Sequence, residues 1–267
     1  MGATLSWELV MDIVRISVLS DNYVFILHNP ADRTAAVVDP AEAKPVLRWL
    51  QAHDATLVAI LNTHHHGDHV GGNQTLVQQF PDVVVYGGAE DRGRIPRQQV
   101  FLQGGDRVTV CDRTAEVFFI PGHTRAHIGY YFPPLTPDEP GDLFCGDTLF
   151  AGGCGRVFDG TAAQLFASLQ QLCQLPDSTR IWCAHEYTVS NFAFALSVLP
   201  EDAPSQTRYH DAIARRQRHQ ATIPTQLGLE KQTNLFLRWH DPHLQQAMQT
   251  TNFREVFTRL RSQKDHF

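Results

Sequence analysis

The chain has 267 residues, 43% of them hydrophobic and 10% aromatic, enough for a packed core in one large domain or one domain with a smaller appendage. Its formal charge of −6 argues against a general polyanion binder, so no nucleic-acid partner is expected. The 5 cysteines, odd in number and without a CxxC pair, fit neither a disulfide framework nor a four-thiolate zinc site; they imply reduced thiols and a cytoplasmic location.

In chain order, the opening MGATLS matches the short pattern for N-terminal lipidation at Gly2, which chance also produces, and Met11 offers an alternative start. Glu8 and Asp12 interrupt the first apolar residues, which argues against a signal peptide. Residues 14–29 and 34–40 are rich in Val and Ile and close on Asn-Pro and Asp-Pro, which predicts strands. Residues 41–53 have helical spacing, 55–63 read as a buried strand, and 71–80 as a further helix. Short strands follow at 83–87, 106–110, 115–120 and 128–132, then a Pro-rich loop, a strand entering LFCGDTLF, a helix at 161–175 and a strand at 179–186. Beyond about 188 the sequence is polar and helical in pattern, so a boundary is placed near 187. No apolar run approaches the ~20 residues of a membrane span, so no membrane partner is expected.

The most informative stretch is NTHHHGDH, residues 62–69, at the end of the buried strand. His64 and His66 are two apart, so in extended chain their rings leave the same side. Asp68 and His69 can then turn toward a second point. Imidazole with carboxylate suits zinc, iron or manganese better than calcium. A hydrolytic metal site needs more donors than one loop can aim. His123, Asp147 and His185 each follow an apolar strand and a small or turn residue, and strand ends on a rigid sheet hold ligands well.

THHHGDH, GHT, GDTLF and AHEY together resemble the motifs of the metallo-β-lactamase superfamily. DNYVFIL, CGDTLFAGGCGR, EYTVSN, NLFLR and RSQKDHF narrow the resemblance to glyoxalase II, the hydroxyacylglutathione hydrolases. The resemblance implies an α+β fold: a four-layer αββα sandwich over residues 1–187, with a small helical, glutathione-binding domain over 188–267. It also implies two divalent metal ions per chain, most simply zinc, with iron or manganese as alternatives. His64, His66 and His123 would hold one metal, Asp68, His69 and His185 the other, and Asp147 would bridge them. His65 and His127 match no ligand slot; His65 is expected to point away or to support a ligand, His127 to be structural.

By the same resemblance Arg156, Tyr187, Arg261 and Lys264 are candidates for the carboxylates of a glutathione thioester, with Arg261 and Lys264 on one helix face. Two departures stand out. Arg156 occupies a position where the family usually has Lys, and Phe158 one where it often has Tyr, which removes a hydroxyl. Asn191 is a polar support or a helix cap. Two metals acidify water from pKa 15.7 to about 7 and polarise a carbonyl, with Asp68 and Asp147 as the carboxylates of the catalytic centre. A thioester suits such a site, because its leaving thiol has a pKa near 8.5 and needs no strong acid. There is no GxSxG elbow and no cysteine with an activating neighbour. The expected function is hydrolysis of S-(2-hydroxyacyl)glutathione by a monomer, ending methylglyoxal detoxification. The rivals are a lactonase, a persulfide dioxygenase, or a metal-stabilised binding module without turnover.

Overall fold

The computed structural model describes residues 11–267, so the MGATLS pattern lies outside the described residues. The first sheet runs β1 (Asp12–Val18), β2 (Asn22–Asn29), β3 (Thr34–Val38), β4 (Thr56–Leu61), β5 (Val84–Gly88) and β6 (Val100–Leu102), side by side in chain order. β1 to β3 are antiparallel and β3 to β6 parallel. Helix α1 (Ala43–Ala52) links β3 to β4; a short turn, α2 (Gly67–Val70), and α3 (Asn73–Gln79) link β4 to β5. The second sheet contains β7 (Arg107–Val110), β8 (Arg113–Phe119), β9 (Ile128–Phe132) and β10 (Asp142–Gly146). After a small hairpin, β11 (Leu149–Phe150) and β12 (Gly153–Cys154), come α4 (Ala162–Leu172) and β13 (Arg180–Cys183), which pairs parallel with β10. The remainder is α5 (Thr188–Val198), α6 (Ala203–Gln217), β14 (Thr225–Gln226), α7 (Leu227–Thr233), α8 (Pro242–Ala247) and α9 (Phe253–Asp265).

The period-2 alternation of the strands explains the layering. In β2, Tyr23, Phe25 and Leu27 face the second sheet, while Val24 and Ile26 face Val46 and Leu50 of α1 and Leu76 of α3. All eight residues of β2 are buried, as expected of a strand covered on both faces. Between the sheets, Phe25 meets Phe144 at 5.5 Å and Trp182 at 5.6 Å between ring centroids. On the far side α4 packs against α9, with Phe166 and Phe257 5.6 Å apart, so the layers run helix, sheet, sheet, helix. Thr161, Asp202 and Asn252 accept backbone N–H bonds at the starts of α4, α6 and α9, which fixes where those helices begin. Phe144 is fully buried at the centre of this stack. Phe144→Ala is expected to lower unfolding free energy by about 3–5 kcal/mol, read as a shifted denaturant midpoint at unchanged slope.

The tail beyond 187 is not purely helical, as its pattern suggested. β14 adds an antiparallel edge to β13. Two residues carry no periodicity to read, so this strand is decided by its partner.

Candidate metal centre

The donors of the four motifs meet where the two sheets present their strand ends. His64 follows β4, His123 follows β8, Asp147 follows β10 and His185 follows β13. Because β10 and β13 are parallel neighbours, Asp147 and His185 emerge side by side. Gly146 makes the approach of the sheets possible: its φ is +47°, and a Cβ there would lie 2.3 Å from Thr63 Oγ1.

Two groups of donors result. His64, His66 and His123 bring ring nitrogens together, with His66 Nδ1 3.0 Å from His64 Nε2 and 3.1 Å from His123 Nε2. Asp68, His69 and His185 form the second group; Asp68 Oδ2 lies 3.4 Å from His185 Nε2 and 3.7 Å from His69 Nε2. Asp147 stands between them. Its Oδ1 is 3.4 Å from both His69 Nε2 and His185 Nε2, and its Oδ2 is 3.5 Å from His123 Nε2. One carboxylate thus faces both groups.

Hydrogen bonds on the outer faces fix the ring tautomers. Nδ1–H of His69 donates to Asp39 Oδ2 at 3.0 Å, that of His185 to Asp21 Oδ1 at 2.9 Å, and that of His123 to the Arg156 carbonyl at 2.7 Å. Thr63 Oγ1 donates to Asp39 Oδ2 at 2.6 Å, so it accepts from His64 Nδ1 at 3.1 Å. Each of these rings therefore presents an Nε2 lone pair inward, the arrangement that makes imidazole a metal ligand. A third grouping of Asp39, His64 and His69 uses the outer faces, where these hydrogen bonds already occupy the donors.

Electrostatics agree with this arrangement. Burial, then the neighbouring His69 and His127, holds His64 well below the usual histidine range; burial, then His123 and His65, brings His66 down to about 4. Burial also lowers His123. For His69 burial opposes protonation, but Asp147 and Asp39 outweigh it and raise the ring's pKa well above normal. His185 is likewise raised, by Asp147 against burial. Burial opposes ionisation of Asp147, yet His69 and His185 hold it well below the carboxylate range. The buried His69 Nε2 and Asp147 Oδ1 have no hydrogen-bond partner among the described residues. Orphaned inward atoms, a neutral His64–His66–His123 group, and an obligate anion whose pull on His69 and His185 marks a place for positive charge fit two divalent cations.

Neither His65 nor His127, the motif histidines without a ligand slot, enters these groups. His65 turns away, with Nδ1 3.0 Å from the buried Asp91. His127, kept neutral mainly by burial, accepts from the Asp147 backbone N–H at 3.1 Å and so holds the bridging loop.

The candidate substrate residues divide. Phe158 is 62% exposed, its ring 5.2 Å from both His66 and His123. Tyr187 stacks on His185 at 4.7 Å, and Arg156 reaches the Asp265 carbonyl at 3.1 Å. Lys264 is half-buried and donates to Asn191 Oδ1. Two expectations need correction. Arg261 is not a solvent-facing clamp: it is buried and donates to the carbonyls of Cys154 at 2.9 Å and Gly155 at 3.3 Å. Asn191 caps no helix; it sits inside α5 and donates to the Ala151 carbonyl at 2.9 Å.

These two belong to a larger pattern. Asn234 donates to the carbonyls of Phe150 and Gly153, and the fully buried Glu230 accepts from Gly152 N–H at 2.7 Å. Polar side chains of the tail therefore satisfy the backbone of residues 150–155 almost continuously. At the far end, a Cβ on Gly155 would lie 2.0 Å from the Asp147 carbonyl, so the tail braces the segment that abuts the bridging carboxylate.

Sequence reasoning missed Asp39, Asp21, Thr63, Glu230 and Asn234 as site supports. Asp21, Thr63 and Asn234 open the motifs DNYVFIL, THHHGDH and NLFLR without having been singled out, and Asp39 left the trace of an Asp-Pro closing a buried strand; it adopts φ +48°, a left-handed conformation that Asp tolerates better than most residues.

Comparison with known proteins agrees with this geometry. Residues 20–185 match the sequence model of the metallo-beta-lactamase superfamily, and 186–267 that of the hydroxyacylglutathione hydrolase C-terminus. The chain is 60% identical to a hydroxyacylglutathione hydrolase of Trichormus variabilis and 62% to one of a Cyanothece species, over 96% of this chain and 100% of each relative. Among solved structures it resembles ETHE1 from Myxococcus xanthus, with a TM-score of 0.67 at 24% identity over 96% of this chain and 92% of that one. It also resembles TTHA1623 in a di-iron-bound form, with a TM-score of 0.57 at 26% identity over 85% of this chain and 100% of that one. The chain belongs to the hydroxyacylglutathione hydrolase family of the metallo-beta-lactamase superfamily.

Proposed function

We propose that this protein is a thioester hydrolase that cleaves S-(2-hydroxyacyl)glutathione, typified by S-lactoylglutathione, to glutathione and a 2-hydroxy acid, the closing step of methylglyoxal detoxification. The observation that carries this reading is a single carboxylate, Asp147, facing two donor groups in a chain whose tail matches the hydroxyacylglutathione hydrolase C-terminus. That tail match disfavours a lactonase or persulfide dioxygenase.

In this reading His64, His66 and His123 hold one divalent ion, and Asp68, His69 and His185 hold a second, with Asp147 shared. Zinc suits the imidazole-carboxylate set best; iron and manganese are accepted by the same donors. Such a pair supplies Lewis acidity toward the thioester carbonyl and lowers the pKa of water toward 7. The chain's own part is to keep His64, His66 and His123 neutral, to aim the rings and to keep Asp147 anionic. Asn22 Nδ2 donates to Asp68 Oδ2 at 3.1 Å and pins the more open carboxylate. No protein acid is needed to expel a thiolate.

Phe158 and Tyr187 form walls of the cleft, Arg156 and Lys264 meet the glutathione carboxylates, and Asn191 and Arg261 act through Lys264 and the 150–155 backbone. We divide the chain at 187 into a catalytic part and a helical substrate-binding part. A cytoplasmic location is supported by five free cysteines. No helix among the described residues is long and apolar enough to cross a membrane. A monomer is supported by exposed large apolar side chains that come from scattered segments, and light scattering tests it.

Purified protein should release glutathione from S-lactoylglutathione, with metal content approaching two ions per chain. Absence of thiol release from the metal-saturated protein would overturn the reading. Lys264 offers a sharper check. Burial first, then Arg261, pushes its pKa down to about 7. It is cationic below that pH and neutral above it, while the substrate's carboxylates are anionic throughout. KM should therefore rise between pH 7 and 9, and Lys264→Met should have a KM roughly tenfold higher at pH 6 and lack that rise. Equal pH profiles of KM in the two proteins would remove Lys264 from the site.

A further inference from the structure

We propose that Asp91, Arg94 and Asp159 form a chain of charged contacts that positions the 156–159 loop, and with it the ring of Phe158, over the His66–His123 group. Arg94 and Asp159 are then positioning residues that set the shape of the substrate cleft.

The links are short and successive. His65 Nδ1 lies 3.0 Å from Asp91 Oδ1, Arg94 Nε donates to the same oxygen at 2.9 Å, and Arg94 NH1 donates to Asp159 Oδ2 at 2.8 Å. Asp159 Oδ1 also accepts from the Arg125 backbone N–H at 2.7 Å. Asp91 is fully buried, so the chain is anchored at one end in the first sheet's periphery and ends on an exposed loop.

At the start of that loop Arg156 reaches Asp265 of α9. Phe158 is largely exposed, and among the aromatic rings of the described residues it meets only those of His66 and His123. Phe158 N–H donates to the His123 carbonyl at 3.0 Å, and the Arg156 carbonyl accepts from His123 Nδ1. The tail braces the loop from its start at 150–155; the Arg94–Asp159 pair fixes its other end. Between these two anchors the aromatic ring is held against two inward-facing histidines. An exposed ion pair contributes little to global stability, but a pair that selects one loop conformation changes what a ligand must spend to order it.

The inference rests on the reading of Phe158 as a cleft wall, and the experiment separates the two. The probe is S-methylglutathione, a thioether that cannot be hydrolysed, titrated calorimetrically into the metal-loaded enzyme, with metal content measured alongside. Phe158→Ala should weaken its binding. Asp159→Ala should weaken it on the order of fivefold to tenfold with two metals retained, and should have no further effect in the Phe158→Ala background. Asp159→Asn, which keeps an acceptor for Arg125 N–H but repels the Arg94 guanidinium, should fall between. If Phe158→Ala weakens binding and Asp159→Ala does not, or if the two losses simply add, the positioning chain is wrong and the cleft wall stands. If Phe158→Ala itself changes nothing, the wall reading fails and the chain falls with it. Loss of metal together with binding in Asp159→Ala would show a structural role and also overturn the proposal.

Discussion

Asp147→Asn is expected to bind fewer than two metal ions and to hydrolyse S-lactoylglutathione more than about a hundredfold more slowly. Residues that merely support a metal ligand cost 10–100-fold when changed, and Asp147 faces both donor groups with its two oxygens. The substitution keeps the shape and the backbone N–H bond to His127, so the fold should survive. It removes the anion that raises His69 and His185, leaving buried imidazoles with no charge between them. His65→Ala is the contrast. It lies outside both groups and should retain both metals and most of the turnover. Elemental analysis and steady-state kinetics on the two variants decide the matter; comparable losses would mean that the histidine cluster has been assigned wrongly.

Asp39→Ala should be nearly as damaging, for a different reason. The Asp39 carboxylate accepts from Thr63 N–H at 2.8 Å, from Thr63 Oγ1 and from His69 Nδ1. Through Thr63 it also holds His64. One side chain thus fixes the tautomers of a ligand in each group. Its loss should lower metal affinity and turnover about 10–100-fold. Alanine must also adopt the left-handed backbone at this position, at a cost of roughly 1–2 kcal/mol. Asp39→Asn separates the two effects. Asparagine tolerates that conformation and keeps one oxygen, so its unfolding midpoint should stay close to the parent's while metal affinity still falls. An Asn variant that binds metal as tightly as the parent would show that His69 does not depend on Asp39 for its orientation.

The seven donors were legible because metal chemistry restricts side-chain type and because His64 to His69 lie within one loop. His123, Asp147 and His185 could be added because each ends an apolar strand, a local pattern that survives without knowledge of neighbours. Many strands were legible for a like reason: β2 is a run of apolar and aromatic residues closed by Asn-Pro, and β8 alternates buried and exposed positions. β6, with three residues, and β14, with two, are too short to carry a period, and only pairing with β5 and β13 makes them strands. The direction of Arg261 was not legible either, since helical spacing puts it on a face with Lys264 but does not say whether that face meets solvent or the 150–155 backbone. Asp39 and His69 are 30 residues apart, Arg94 and Asp159 65, and Asp21 and His185 164. Sequence by itself determined which side chains are of metal-ligating type, because that chemistry belongs to side-chain type, while the thioester reading came with the family resemblance. Only the tertiary structure decided which carboxylate orients which ring, because that depends on the register of parallel strands and the packing of distant loops.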